Sequence, residues 1–395
     1  SNTQTKNVPE LRFPGFEGEY SLDIFGNLAT NKSDKFNPQN ENASIDIELD
    51  CIEQNTGRLI KIYNSKEFSS QKNKFNPQNV LYGKLRPYLN KYYFTKKSGV
   101  CSSEIWVLKS TKEDKLLNLF LYYFIQTKRY SDVASKSAGS KMPRADWGLI
   151  ENIRVYFPEL CEQQKIGEFF SKLDRQIELE EQKLELLQQQ KKGYMQKIFS
   201  QELRFKDENG NDYPEWVVKL IGDIGKVAMN KRIYKHETSA NEEIPFYKIG
   251  NFGKKADTFI SREQFNEYKE KYPYPKKGDI LISASGSIGK TIEYKGEEAY
   301  YQDSNIVWLD HNEEVLNVFL KYFYILVKWN GVEGTTIKRL YNKNILNTKI
   351  DLPTISEQQK IGDFFCYIDN LIEIQEQKLE FLKRRKQSLL QKMFV

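Results

Sequence analysis

The sequence predicts an α+β fold: two α/β modules joined by two long helices that pack as an antiparallel coiled coil with pseudo-twofold symmetry. Three observations predict it. The passage EQQKIGEFFSKLDRQIELEEQKLELL at Glu162 returns as EQQKIGDFFCYIDNLIEIQEQKLEFL at Glu357, an offset of 195 residues. Apolar residues in both copies recur at alternating three- and four-residue steps, the period of a coiled coil. The stretches before each copy carry short alternating runs followed by an aromatic helix, the pattern of a mixed module.

The repeat sets the domain order. Its register holds without a gap from Pro158/Pro353 to Phe199/Phe394 with about half the positions identical, so the chain is a tandem duplication. A weaker echo, PELRFPGFEGEYSLDIFGNLA from Pro9 against QELRFKDENGNDYPEWVVKLIGDIGKVA from Gln201, places a leading segment before each module. The expected domains are 1–157 (leading segment and first module), 158–200 (central helix), 201–352 (second leading segment and module) and 353–395 (C-terminal helix). A chain of 395 residues is long enough for more than one core.

In the first helix the stripe reads Ile166, Phe170, Leu173, Ile177, Leu184, Leu187, Tyr194 and Ile198. In the second it reads Ile361, Phe365, Ile368, Ile372, Leu379, Leu382, Leu389 and Met393. Pro158 and Pro353 end the preceding strands, and Ser356 with Gln359 predicts a capping box. Each helix should be roughly 60 Å long. A lone helix would expose its seam, so each copy is expected to bury the other's. Glu180 and Lys191 interrupt the first stripe, and Gln375 and Lys386 the second. One antiparallel register sets Glu180 against Lys386 and Lys191 against Gln375, and also sets Leu184 on Leu382 and Leu187 on Leu379. A parallel pair would stack Lys191 on Lys386, so the antiparallel register is the expectation.

Within the modules, VLYGKLRPYLNKYYF from Val80 and DILISASGSIGKTIEY from Asp279 each read as strand, tight loop, strand. SEIWVLK and NIVWLD supply further strands. The aromatic helices are LLNLFLYYFIQTKRY and EVLNVFLKYFYILVKW. The latter is interrupted by Lys321 and too short to span a bilayer, so it reads as a buried helix. Cys51, Cys101, Cys161 and Cys366 form no CxxC pair and read as reduced thiols of a cytoplasmic protein.

Catalysis needs placed groups, and the sequence offers few. There is no GxxxxGK[ST] loop for nucleotide hydrolysis and no GxGxxG after a strand for a dinucleotide or methyl donor. GSIGK at Gly286 has the wrong spacing and lies between strands. His236 and His311 are the only histidines, which leaves a histidine-based triad or metal cluster without material. FNPQN, at Phe36 and Phe75, lacks the Pro–aromatic ending of an amino-methylation motif and reads as an Asn-Pro turn. The chain by itself is therefore read as non-catalytic.

Basic loops remain, in a chain with net charge +6. Lys84, Arg86 and Lys91 flank Tyr88 in the first module, and Ser285, Ser287 and Lys290 occupy the equivalent loop in the second. A later loop carries Lys141 and Arg144 in the first copy and Thr335, Thr336, Lys338 and Arg339 in the second. Cations suit phosphates or guanine edges, and hydroxyls suit bases or oxygens, so these thirteen residues are the candidate DNA contacts.

The PELRFPGFEGEY segment, the paired EQQKIG helices ending in QKIF and QKMF, and the loops ASGSIGK and GTTIKRL resemble the specificity subunit of type I restriction-modification systems. The resemblance covers essentially the whole chain. It implies two target-recognition domains, each reading one half of an asymmetric bipartite site on double-stranded DNA, with the helices setting the gap. It also implies two modification subunits, which methylate adenine at N6 with S-adenosylmethionine, and two restriction subunits, motor-nucleases that use ATP and Mg. No cofactor or membrane is expected for this chain itself. The rival expectation is a coiled-coil scaffold whose modules bind other proteins.

Overall fold

The computed structural model describes residues 7–37, 39–43, 45–67, 70–136, 141–329 and 339–395. The first copy runs β1 (Ser21–Ile24), α1 (Phe25–Leu28), β2 (Ala29–Thr30), β3 (Lys35–Phe36), β4 (Asp46–Ile47), β5 (Lys72–Phe75), β6 (Val80–Gly83), β7 (Tyr92–Phe94), β8 (Gly99–Cys101) and β9 (Ile105–Ser110). It continues through α2 (Asn118–Phe124), α3 (Lys128–Ala134), α4 (Trp147–Ile150) and β10 (Arg154–Phe157) into the long helix α5 (Leu160–Phe199). The second copy runs β11 (Val217–Leu220), α6 (Ile221–Ile224), β12 (Gly225–Ala228), β13 (Ile244–Tyr247), β14 (Phe259–Ile260), α7 (Arg262–Lys271), β15 (Ile280–Ser283) and β16 (Thr291–Glu293). Then come β17 (Tyr300–Tyr301), β18 (Ile306–His311), α8 (Asn317–Leu326), α9 (Asn342–Leu346), β19 (Lys349–Leu352) and the long helix α10 (Ile355–Met393).

The two modules share a plan. In the first, β1 pairs antiparallel with β10, and a four-stranded sheet runs β2-β9-β6-β7. In the second, β11 pairs with β19, and the sheet runs β12-β18-β15-β16. Each also carries one parallel pair, β4 with β8 and β13 with β17. They differ around that pair: the first adds β3 and β5, the second adds β14 and α7. The central strands β6, β9, β15 and β18 are rich in Val, Ile, Leu and aromatic residues and are buried almost throughout, as strands covered on both faces must be.

The chain divides into two compact units, residues up to Lys183 with Gln375–Val395, and Leu184–Ile374. Each unit thus holds the first part of one long helix and the last part of the other, running antiparallel. In the first unit Lys386 meets Asp174 at 2.6 Å while Gln375 donates to the Glu180 carboxylate at 2.6 Å. In the second unit Lys191 meets Asp369 at 2.6 Å and Phe199 packs on Phe365. These contacts correct the expected register: Glu180 does not face Lys386, and Gln375 does not face Lys191. Leu379 and Leu382 are buried, whereas Leu184 and Leu187 are half-buried. The stripe also shifts after the lysines. Met195 and Leu390 are buried, not Tyr194 and Leu389, because the lysines are members of the seam, with Lys386 itself only 8% exposed. Taking them as breaks put the next apolar contact one residue too early. The cap of α10 differs too: Thr354 Oγ1 accepts from the Glu357 amide, and the helix begins at Ile355, so Ser356 lies within it.

The repeated EQQKIG is the joint between module and helix. Glu162 takes a bidentate pair from Arg12 at 2.9 and 2.7 Å, and Glu357 takes one from Arg204 at 3.2 and 2.8 Å. The Gln163 side chain accepts from the Leu117 amide and donates to the carbonyls of Lys115 and Pro158. Gln358 does the same with Leu316, Glu314 and Pro353. The amides of the N-cap residues of α2 and α8, Leu117 and Leu316, otherwise orphans, are thereby satisfied. A methyl group at Gly167 would overlap Leu119 of α2, and one at Gly362 would overlap Val318 of α8, so glycine permits the helices to cross closely.

Candidate nucleic-acid interface

The turn that follows β6 in the first module meets the loop before α4. The Lys84 amide donates to the Glu104 carbonyl, the Ala145 amide to the Lys84 carbonyl at 2.8 Å, and the Arg86 amide to the Pro143 carbonyl at 2.7 Å; Leu85 and Arg144 form a β-bridge. In the second module the Ala284 amide donates to the Asn305 carbonyl, the Leu340 amide to the Ala284 carbonyl at 2.8 Å, and Ser285 bridges to Arg339. Two loops distant in sequence are therefore laced together in both modules by the same backbone bonds. The sequence reading placed its candidates in these two loops, and the described stretches of the loops are brought together.

The thirteen candidates do not share one environment. Arg86, Lys141 and Ser287 are exposed, as is Tyr88 at 57%, and Lys84 is half-buried. Arg144 is engaged: its guanidinium donates to both oxygens of Glu104, at 2.9 and 3.1 Å, and that carboxylate raises its pKa further. Arg339 donates to the Ser304 carbonyl at 3.2 Å and lies over the Tyr341 ring. Lys91 and Lys290 are also tied down. The Lys91 ammonium donates to the Leu49 carbonyl at 2.5 Å and that of Lys290 to the Phe252 carbonyl at 2.6 Å, so each holds a neighbouring loop in place. Ser285 is buried and donates to the Asn305 side chain at 2.8 Å. Thr335, Thr336 and Lys338 lie outside the described residues.

Sequence reasoning missed the groups that make these joints. Asp174 accepts from the Tyr123 hydroxyl at 2.9 Å and pairs with Lys386, whose ammonium also donates to Gln126. Asp369 accepts from Tyr322 at 2.7 Å and pairs with Lys191. The signal was present, since Asp174 and Asp369, and Lys191 and Lys386, are repeat equivalents at the offset of 195. Glu181, whose repeat equivalent is Glu376, is held by Lys383 and Arg58: burial pushes its carboxyl up, and hydrogen bonds from these two cations more than reverse this, leaving it below the usual glutamate range. No described helix is long and apolar enough to cross a membrane.

A family model described as the type I restriction modification DNA specificity domain matches residues 19–189 and 213–384, one match per copy. The chain belongs to this family. A putative type I restriction enzyme specificity subunit of Haemophilus influenzae is 42% identical over 261 residues, 63% of this chain and 63% of the relative. The alignment thus spans less than two thirds of that relative. The MjaVIII specificity subunit of Methanocaldococcus jannaschii is 27% identical over 321 residues, 75% of this chain and 74% of the relative. Among solved structures, the type I restriction-modification S subunit from M. genitalium superposes with a TM-score of 0.59 at 17% identity, covering 98% of this chain and 99% of that one. A chain from a study of complex assembly and conformational transition in a type I system gives 0.59 at 17%, covering 95% and 97%. These likenesses establish that the specificity-domain fold is shared along essentially the full length.

Proposed function

We propose that this chain is the DNA-recognition subunit of a type I restriction-modification complex, not itself catalytic. Each module reads one half of an asymmetric bipartite site in double-stranded DNA. The two helices set the gap and dock two modification subunits. Those subunits supply S-adenosylmethionine chemistry at adenine N6, and two restriction subunits supply the ATP- and Mg-dependent cleavage.

One observation carries the reading. The same pair of loops is laced onto the same four-stranded sheet in both modules, yet the side chains they present differ: exposed Arg86, Tyr88 and Lys141 in one, exposed Ser287 and Tyr341 with the half-buried Arg339 over its ring in the other. A shared frame with different readers suits two unlike half-sites, as dyadic DNA-binding dimers use one head twice. The docking role draws on apolar residues left on the outside of the helices. Leu179 and Leu186 on α5, and Tyr367, Ile374 and Phe381 on α10, are exposed at steps of seven. That spacing is what a further packed helix requires. A scaffold that bound only proteins would have no use for unlike basic loops on matched frames.

The test is to map methylated adenines in cells that carry the modification subunits, with and without this chain. One bipartite motif appearing only with the chain is the expected result, and a sequence-selective gel shift of the complex should accompany it. Identical methylation in both cells, with no selective shift, would sink the proposal.

A further inference from the structure

The turn after β6 and the turn after β15 leave and rejoin their sheets by matching bonds. The Gly83 amide donates to the Lys91 carbonyl and the Ser283 amide to the Lys290 carbonyl, so Arg86 corresponds to Gly286 and Asn90 to Gly289. Both turns enter and leave through the left-handed region: φ is 52° at Arg86 and 46° at Asn90, 65° at Gly286 and 79° at Gly289. The second module meets that demand with glycine, the residue that adopts positive φ without its side chain meeting its own carbonyl. The first module places asparagine and arginine there. Asparagine tolerates the conformation, and its side-chain amide donates to Asn55 at 3.0 Å. Arginine has no such ease. Its backbone is pinned between the Pro143 carbonyl and the Leu89 amide, while its guanidinium is exposed and has no partner among the described residues.

A position whose backbone favours glycine is thus occupied by a long cation whose side chain makes no hydrogen bond, ion pair or ring contact with the described residues. A residue held in a sparse region by surroundings that over-determine it points to function. A phosphate contact needs no such fixed frame, since the exposed Lys141 on the neighbouring loop can serve a phosphate from any direction. The pinned backbone sets where the side chain leaves the loop, and the planar guanidinium at its end presents the fork that bidentate recognition of a base edge uses.

We infer that Arg86 is a specificity-determining residue of the first module, its guanidinium reading the O6 and N7 acceptors of a guanine in that half-site. The inference rests on the proposed function. The second module, with Gly286 at the equivalent place, reads its half-site without this contact.

The experiment maps methylated adenines in cells carrying the modification subunits with the wild-type chain, Arg86→Lys or Arg86→Gly. Lysine keeps the charge and loses the fork, so discrimination for one guanine in one half-site should fall about tenfold or more, with the other half-site unchanged. Glycine should relax the same position, and its melting temperature should equal or exceed that of the wild type, because it removes the strained φ. A wild-type motif with Arg86→Lys would overturn the inference and leave a phosphate contact. So would relaxation at a base other than guanine, or an Arg86→Gly chain that melts lower and keeps the full motif. A wild-type chain that directs no motif would sink the proposed function, and the reading role with it.

Discussion

The Glu162 carboxylate is 1% exposed and holds Arg12 by two hydrogen bonds while accepting a third from the Tyr20 hydroxyl. Burial, then the carboxylate itself, drives the Tyr20 phenol far above its ordinary pKa, so it stays a neutral donor. Removing one partner of a covered pair leaves the other charge uncompensated, so Glu162→Ala should destabilise the first unit by about 3 kcal/mol. Glu162→Gln, which keeps an acceptor and the shape, should cost less. Urea unfolding of both variants checks the order, and equal losses would mean that packing alone is at stake. The lysines of the basic loops are expected to divide in the same residue-by-residue way. Lys91 holds the Leu49 carbonyl, so Lys91→Met should lower stability by about 1–2 kcal/mol and leave the salt dependence of DNA binding unchanged. Lys141 is exposed, so Lys141→Ala should leave stability alone and reduce the salt slope by about one if it meets a phosphate. Binding titrations of the complex over a range of salt concentrations separate the two.

At the scale of elements, each unit has one node where three helices meet through charge. In the first unit Tyr123 of α2 and Lys386 of α10 converge on Asp174 of α5, and the ammonium lies over the Tyr123 ring. In the second, Tyr322 of α8 and Lys191 of α5 converge on Asp369 of α10, with Lys191 over Tyr322. Replacing Lys386 with Leu should cost about 2–3 kcal/mol, because Asp174 is left facing the phenol without its counter-charge. The double variant Lys386→Leu with Asp174→Leu should recover part of that loss, a coupling of about 1–2 kcal/mol read from denaturation of the four chains. Additive losses would show that the three groups do not act as a unit. These nodes also mark where the sequence stopped being legible. The duplication, the strand–turn–strand segments and both long helices could be read because each lies in consecutive residues with a strong period. The register of the helix pair could not. Matching Glu180 to Lys386 balanced charges between two helices alone, whereas the aspartates that take the lysines are held by tyrosines from a third element. The laced loops were legible as basic segments, but not as partners, since Leu85 and Arg144 are joined by backbone bonds that carry no residue code.

For the whole molecule, the duplication explains why a chain would keep matched helices beside unlike modules. If the helices set the gap between half-sites, their length is a ruler with a known rise. One heptad is about 10 Å of helix, close to three base pairs of duplex at about 3.4 Å each. Removing a heptad from both helices, between Asp174 and Lys191 on α5 and between Asp369 and Lys386 on α10, keeps both nodes and both modules. Methylated-adenine mapping should then return the same two half-sequences with a gap shorter by about three base pairs. Exchanging residues 216–352 for the module of a relative should do the reverse, changing one half-sequence and leaving the gap alone. The two experiments test separate properties, because the deletion lies outside the EQQKIG joints and the exchange keeps Arg204, Glu357 and Gln358, with Gln358 meeting the module through the backbone of Glu314 and Leu316. An unchanged gap after the deletion would mean that something other than the helices sets the spacing. A motif altered in both halves after the exchange would mean that the modules do not read independently.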